Sequence, residues 1–429
     1  MSQANENYKM KYSLATNLDV KLLDEIAKLD KDKSIKVVFG KLKTDIIGGG
    51  RSSGMILDKS MEDIKNYAKA CHDIGVEFNY LLNPMCTANK ELTQEGHKEV
   101  VDFLQVLVDS GVDWVTINSP YLCKIIKKQF PSLKISVGIH ACVSEIQHIR
   151  YWEELGADEI TLQMFVTRNF KLLEDMLKYT KNSKVGLRVL GNNCCLHACP
   201  YRINHATGQS HASRKSEGVS KFYMDSNLTT CTMGKIQNPA NLIASEWIRP
   251  EDVKYYEELC EKTGNYNLSI KLVERTKTTE FLVRVVKAYL SRSYEGNLLD
   301  ILLWPVMDEF AKVKKDKENA AESEVAATLD SPANHFFNFF KLPEIYIDNK
   351  KLDGFMKKFV RDFECNKKAC SGIGNLLNPN LYQEDETVCS YCKAWAEKAV
   401  QIKNPEETQE WLALAEKFMS DLYDGTILP

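Results

Sequence analysis

Between residues 10 and 290 the chain alternates short, apolar, β-branched runs with longer segments in which apolar residues recur every three or four positions. The short runs predict strands at 10–15, 35–40, 76–82, 114–118, 134–139, 159–164, 184–190 and 268–273. The longer segments predict helices, among them 61–74, 96–110, 145–155 and 172–180. In 96–110, Val100, Phe103, Leu104 and Leu107 mark the buried face. Helix gives way to strand at Asp73-Ile74-Gly75, Asp109-Ser110-Gly111 and Glu154-Leu155-Gly156, where each glycine is expected to cap its helix in a left-handed conformation.

Eight strands separated by helices predict an α/β fold, a closed (β/α)8 TIM-like barrel, with an open doubly wound sheet as the alternative. No Gly-x-Gly-x-x-Gly follows the first strand, so a dinucleotide fold has no direct support. Gly48-Gly49-Gly50 after the second strand reads either as a flexible loop or as a phosphate or carboxylate cradle completed by Arg51. The barrel is expected over 1–300. Within it, 191–250 is polar and aperiodic and is read as an inserted metal-binding loop on the face where such barrels place their active sites. Residues 301–345 read as a charged helical connector, since 312–324 carries eight charges in thirteen residues. The aromatic run 334–346 is expected to dock on the barrel, and 346–429 forms a small C-terminal four-cysteine module.

Composition adds limits. The chain has 429 residues, 44% hydrophobic and 27% charged, an ordinary globular balance. A net charge of -3 does not support nucleic acid as a partner, although a local basic groove is compatible with it. No apolar run is long enough to cross a bilayer, and the N-terminus is polar, so a cytoplasmic location without membrane attachment is expected. In that reducing compartment thirteen cysteines point to metal ligation rather than disulfides. Cys71 and Cys260, in expected helices, read as packing residues.

Two cysteine groups stand out. Cys194, Cys195 and Cys199 lie together after the seventh strand, and Cys231 follows in the same loop. Thiolates so spaced suit an iron–sulfur cluster or zinc. Which of Cys194 and Cys195 ligates is open, and the fourth ligand is Cys86, Cys142 or absent; three ligands would leave one iron open to substrate. The second group is Cys365-x4-Cys370 and, eighteen residues on, Cys389-x2-Cys392, a four-thiolate pattern for a second 4Fe-4S cluster or zinc. No Cys-x3-Cys-x2-Cys triplet occurs, so the radical S-adenosylmethionine motif is missing.

Polar residues collect at the expected strand ends. Lys271, Glu274 and Arg275 close the eighth strand, and with His205 and His211 they are the candidate catalytic groups. Arg51, Asn83, Asn118, His140, Arg202 and Arg249 are candidate substrate-binding groups, the arginines being suited to carboxylates. Together they predict a pocket for a small polar molecule.

The run Trp247-Ile248-Arg249-Pro250-Glu251-Asp252-Val253, the strand Ile270-Lys271-Leu272-Val273-Glu274-Arg275 and the helix through Val286-Lys287-Ala288-Tyr289 resemble peptidase family U-32, a resemblance that covers residues 10–295. It implies a barrel with a 4Fe-4S cluster on cysteines, here Cys195, Cys199 and Cys231, with Lys271 and Arg275 near the pocket. It also implies oxygen-independent hydroxylation of a small molecule or a nucleic-acid or cofactor precursor, with a prephenate-like carboxylate as oxygen source. An electron-donor protein or a paired barrel subunit is an implied partner. The family name itself implies peptide hydrolysis, and a non-catalytic partner subunit is a third alternative. The chain departs from the family in three respects. It lacks the usual cysteine pair with six residues between them, its eighth strand has no Lys-Ile-Glu-Gly-Arg glycine, and it adds the C-terminal cysteines.

Overall fold

The computed structural model describes residues 8–214, 222–319, 342–362, 365–370 and 386–428. Eight parallel strands, β1 (Lys11–Ala15), β2 (Ile35–Gly40), β3 (Glu77–Leu82), β4 (Trp114–Ile117), β5 (Lys134–Val137), β6 (Glu159–Thr161), β7 (Gly186–Leu190) and β8 (Leu268–Leu272), close into a barrel in sequential order. Closure is made by β1 pairing with β8, Tyr12 opposite Ile270 and Ser13 opposite Lys271. The open-sheet alternative is therefore excluded.

The outer ring is built from α1 (Val20–Leu29), α2 (Met61–Asp73), α3 (Gln94–Asp109), α4 (Pro120–Gln129), α5 (Ile146–Glu154) and α6 (Phe170–Tyr179). Their starts are specified locally. Ser60 and Asp63 form a reciprocal capping box at α2. Thr93, Ser119 and Asn169 cap α3, α4 and α6 through their side chains. Gly75, Gly111 and Gly156 have positive φ at the helix ends where the sequence placed them. Cys71 in α2 and Cys260 in α10 (Val253–Thr263) are fully buried packing residues.

Much of the described part of 191–250 is helical rather than loop. It folds into α7 (Arg202–Ala212), α8 (Phe222–Gln237) and α9 (Ala240–Ala244) before α10 and then, past β8, α11 (Thr279–Ser291). Its periodicity is hidden because polar side chains face inward: Thr229, Thr230, Thr232 and Lys235 of α8 are all buried. Of the charged connector, 311–319 is helical. The aromatic run at 334–341 lies outside the described residues, so its docking is left as an expectation.

Beyond residue 342, β9 (Ile345–Ile347) pairs antiparallel with a later strand, and Cys370 pairs in register with Cys389 through the two-residue strands β10 (Ala369–Cys370) and β11 (Val388–Cys389). The partner of β9 is β12 (Val400–Ile402). The hydrophobic core runs on from the barrel into this part, through Phe355, Phe359, Ala396 and Trp411. No described helix is long and apolar enough to cross a membrane.

The barrel interior is polar at mid-depth. Arg188 of β7 is fully buried, forms an ion pair with Glu159 of β6, and donates from Nη1 to Ser136 Oγ at 3.1 Å. Burial lowers the Arg188 pKa to about 9, against no remaining exposure to water. Glu159→Ala leaves this guanidinium buried without its carboxylate. Chemical denaturation should show a loss of about 3–5 kcal/mol, and a loss below 1 kcal/mol would show that the pair does not support the barrel.

Candidate active site

The C-terminal ends of the strands open into a cavity of about 280 Å³. Arg51 and Ser52 come from the loop after β2, Asn83 from just after β3, His140 from the turn after β5, Thr161 from the end of β6 and Met164 from just after it, and Lys271 from β8 with Glu274 and Arg275 just after it. The inserted helices supply Arg202, His205, Gln209, Cys231 and Lys235, and the turn ahead of them supplies Cys194, Cys195 and Cys199. Leu303, Trp304 and Phe310 form an apolar wall.

Glu274 and Arg51 organise one side. Arg51 donates to Glu274 Oε2 from Nε at 2.7 Å and from Nη2 at 2.5 Å. Burial works to raise the Glu274 carboxyl, but Arg51, Arg275 and the Thr276 backbone N–H outweigh it and hold the pKa below the ordinary value. Arg275 lies behind this pair. Its Nη1 is buried with no hydrogen-bond partner among the described residues, and burial pushes the guanidinium down to about 10. Lys271 carries its Nζ 4.0 Å from the Phe39 ring centroid. Burial, then Arg188, Arg275 and Arg51, push its pKa well down, which favours the neutral amine.

The two histidines are also neutral groups here. Burial, with Arg51, Arg202, His205 and Lys271 around it, lowers His140 to about 3. Burial and Arg51 lower His205 to about 4. His205, a candidate catalytic group in the sequence, is held in its neutral form by burial and Arg51. His205 Nε2 is 3.1 Å from Gln209 Nε2, whose amide oxygen accepts from the Ser52 N–H at 2.6 Å. Two of the three glycine N–H groups are not free to cradle an anion. Gly48 N–H donates to Asp45 and Gly49 N–H to Ser213 Oγ, so both donors are used internally. Gly50 is required by close approach, because a Cβ there would lie 2.9 Å from His140 Nε2.

Three expected residues are placed elsewhere. His211, on α7, does not line the cavity. Asn118 straps a loop, donating to the carbonyls of Asn83 and Pro84. Arg249 is consumed in a buried two-point pair with Asp252 and reaches Asp353 and the Asn349 carbonyl, so it anchors the C-terminal part rather than a substrate. The sequence reading missed Gln209, Lys235 and Arg188. Lys235 had a readable signal, four residues after Cys231, the spacing that puts two side chains on one helix face.

All thirteen cysteines carry free thiols. Cys195 lies in the electrostatic field of Cys231 and Cys199, Cys199 in that of Cys231, and Cys194 feels Cys231 and bonds to Ser245. Cys142 is taken up by an Arg202 Nη2 contact of 3.1 Å, and neither it nor Cys86 lines the cavity. Lys235 is fully buried against the thiols. Its Nζ donates to the Cys194 carbonyl at 2.5 Å and bonds to the Cys231 side chain, with no carboxylate in ion-pair reach among the described residues. A buried ammonium is costly without a nearby anion. Burial raises the Cys195 thiol to about 11 and raises that of Cys199, so the anion would come from these cysteines only with a bound metal, a donor chemistry that three thiols fit. The described His, Cys, Asp and Glu side chains nevertheless close no group of three around a single ion.

The buried histidines set a pH dependence. Below pH 6.5 the unfolded rings take protons that the folded His140 and His205 refuse until about 3 and about 4. Stability should therefore fall as pH drops from 6.5 towards 4. Thermal melts of His140→Gln should show a shallower fall than wild type; parallel curves would remove His140 as the cause.

Comparison with known proteins places this geometry. The chain is 26% identical over 386 residues to the uncharacterized protease MJ1657 of Methanocaldococcus jannaschii, an alignment covering 90% of this chain and 94% of that protein. The solved U32 peptidase Mk0906 aligns at 17% identity with a TM-score of 0.44, over 64% of this chain and 97% of its own. The family model described as peptidase family U32 matches residues 49–292, which is more than half of the sequence and includes β3 to β8, every cavity-lining cysteine and Lys235. This chain therefore belongs to peptidase family U32.

Proposed function

We propose that the chain is an iron–sulfur enzyme that modifies a small anionic molecule at the mouth of its barrel, by oxygen-independent hydroxylation or related redox chemistry. The observation that supports it most directly is that the Cys195, Cys199 and Cys231 thiols, the buried Lys235 and the cationic lining of Arg51, Arg202, Lys271 and Arg275 share one cavity. A 4Fe-4S cluster held by those three thiolates, with Cys194 as the spare, would supply electrons or an open Lewis-acid iron.

The chain's own residues do the rest. Arg275 Nη1 and the Arg202 guanidinium bind carboxylate oxygens. Glu274 stays ionised and holds Arg51 in place. Lys271, as a neutral amine, accepts a proton, and the neutral imidazoles of His140 and His205 orient hydroxyl or carbonyl groups by hydrogen bonds. Trp304 and Phe310 exclude water.

The family's description favours a second reading, peptide hydrolysis. A cavity of about 280 Å³ suits a small molecule better than a polypeptide, which needs an open groove. The two readings separate on one preparation. Purified without oxygen, the protein should be brown and contain iron and sulfide in about equal amounts, and Cys195→Ala should lose the barrel share of both. A colourless, iron-free protein that cleaves peptides would replace the redox reading with the hydrolytic one.

A further inference from the structure

The second cysteine group lies outside the cavity, and its surroundings contain an unexplained charge. Arg168, just after β6, is buried to 3% exposure. Its three nitrogens donate only to backbone carbonyls: Nε and Nη2 to Trp247 O at 3.1 and 2.8 Å, and Nη1 to Ile243 O at 2.8 Å. Its guanidinium lies 4.3 Å from the Trp247 ring, 4.9 Å from Phe355 and 5.7 Å from Phe359. Among the described residues no carboxylate is in ion-pair reach. Burial lowers its pKa, and the anions whose field opposes that are Cys392, Glu246, Tyr256 and Cys365, in that order. Glu246 is engaged by His197 at 2.7 Å, and burial keeps the Tyr256 phenol protonated. Arginine does not deprotonate in proteins, and the remaining groups beside it, Cys392 and Cys365, are thiols that burial keeps protonated unless a bound metal displaces the protons.

The backbone sets the cysteines of this group near one another, although among the described residues no three of them close around a single ion in this structure. Cys370 and Cys389 are register partners in the parallel β10–β11 ladder, so their side chains leave adjacent strands on one face. Cys392 follows three residues later, in the first turn of the helix Tyr391–Ala399, where the helix dipole favours negative charge. Cys365 stands in the field of both Cys370 and Cys389, and Cys392 in the field of all three others.

We propose that Cys365, Cys370, Cys389 and Cys392 hold a metal centre as four thiolates, and that Arg168 is its counter-charge and fastens it to the barrel. On loading, the four thiols release their protons to solvent. Around a zinc ion or a 4Fe-4S core of charge 2+, the four thiolates leave a net charge of about minus two, which Arg168 offsets in part. The aromatic residues Trp247, Phe355 and Phe359 keep water from that pair of charges and strengthen it. Zinc and the cluster share this ligation chemistry, and metal analysis tells them apart. The proposal does not depend on the barrel cavity holding a cluster.

The test uses the full chain purified without oxygen. In Cys195→Ala, which disables the barrel group, one centre should remain, read as about one zinc, or about four iron with four sulfide, per chain. It should disappear when Cys389→Ser is added. Metal-free Cys195→Ala would overturn the site, as would retention of the metal after Cys389→Ser. Because that double variant is open to misfolding, the single variant Cys389→Ser offers the same readout as the loss of one centre from wild type. For the counter-charge, Arg168→Gln should weaken metal retention against a chelator on the order of 10- to 100-fold, with Arg168→Lys recovering part of the loss. A purely structural Arg168 would lower the Tm of both variants and leave chelator competition at the wild-type value, which would overturn its assignment as counter-charge.

Discussion

Five cationic side chains, Arg51, Arg202, Lys235, Lys271 and Arg275, line one buried cavity in which Glu274 is the only described carboxylate. Charge removed from water must be matched or it destabilises the fold. Each cation meets this condition differently. Arg51 takes Glu274, Lys271 gives up its proton more readily and rests on Phe39, and Lys235 turns to the cysteines. Arg275 keeps a nitrogen with no partner among the described residues. Burial, reinforced by the surrounding positive charge, keeps His140 and His205 unprotonated.

Barrel closure makes this concentration possible. Lys271 and Glu274 stand at the end of β8, while Arg51 enters from the far side of β1, after β2. They meet because β1 pairs with both β2 and β8. Below them the Arg188–Glu159 pair fills the barrel with a second charge, which adds to the depression of Lys271. The field at the active face is thus set partly from the interior.

The same rule holds away from the cavity. Arg168 and Arg249 reach from the barrel side towards the C-terminal part, but they are satisfied in opposite ways. Arg249 has two aspartates. Arg168 has carbonyls, aromatic faces and the field of cysteine sulfur. Two buried cations set beside two cysteine groups, Lys235 by the first and Arg168 by the second, give these eight cysteines a common electrostatic setting that spacing alone did not reveal.

Strand order, helix caps and the three junction glycines were legible because each depends on neighbours within a few residues: alternating apolar runs, Ser60 three residues before Asp63, a glycine after a helix. Family membership was legible in the same way, from the run around Arg249 and the strand ending in Arg275. The helical nature of 191–250 was not, because α8 turns its threonines and Lys235 inward and so presents no apolar stripe to read. Nor was the fate of the arginines. Arg51, Arg249 and Arg275 look alike along the chain, yet one pairs with Glu274, one is spent on Asp252, and one keeps a buried nitrogen without a partner among the described residues. The amino-acid order determined the barrel and the clustering of cysteines, since these follow from local pattern. Which charges face one another, and therefore which groups are free to act, was decided only when β1 closed on β8 and brought residues more than two hundred positions apart into contact.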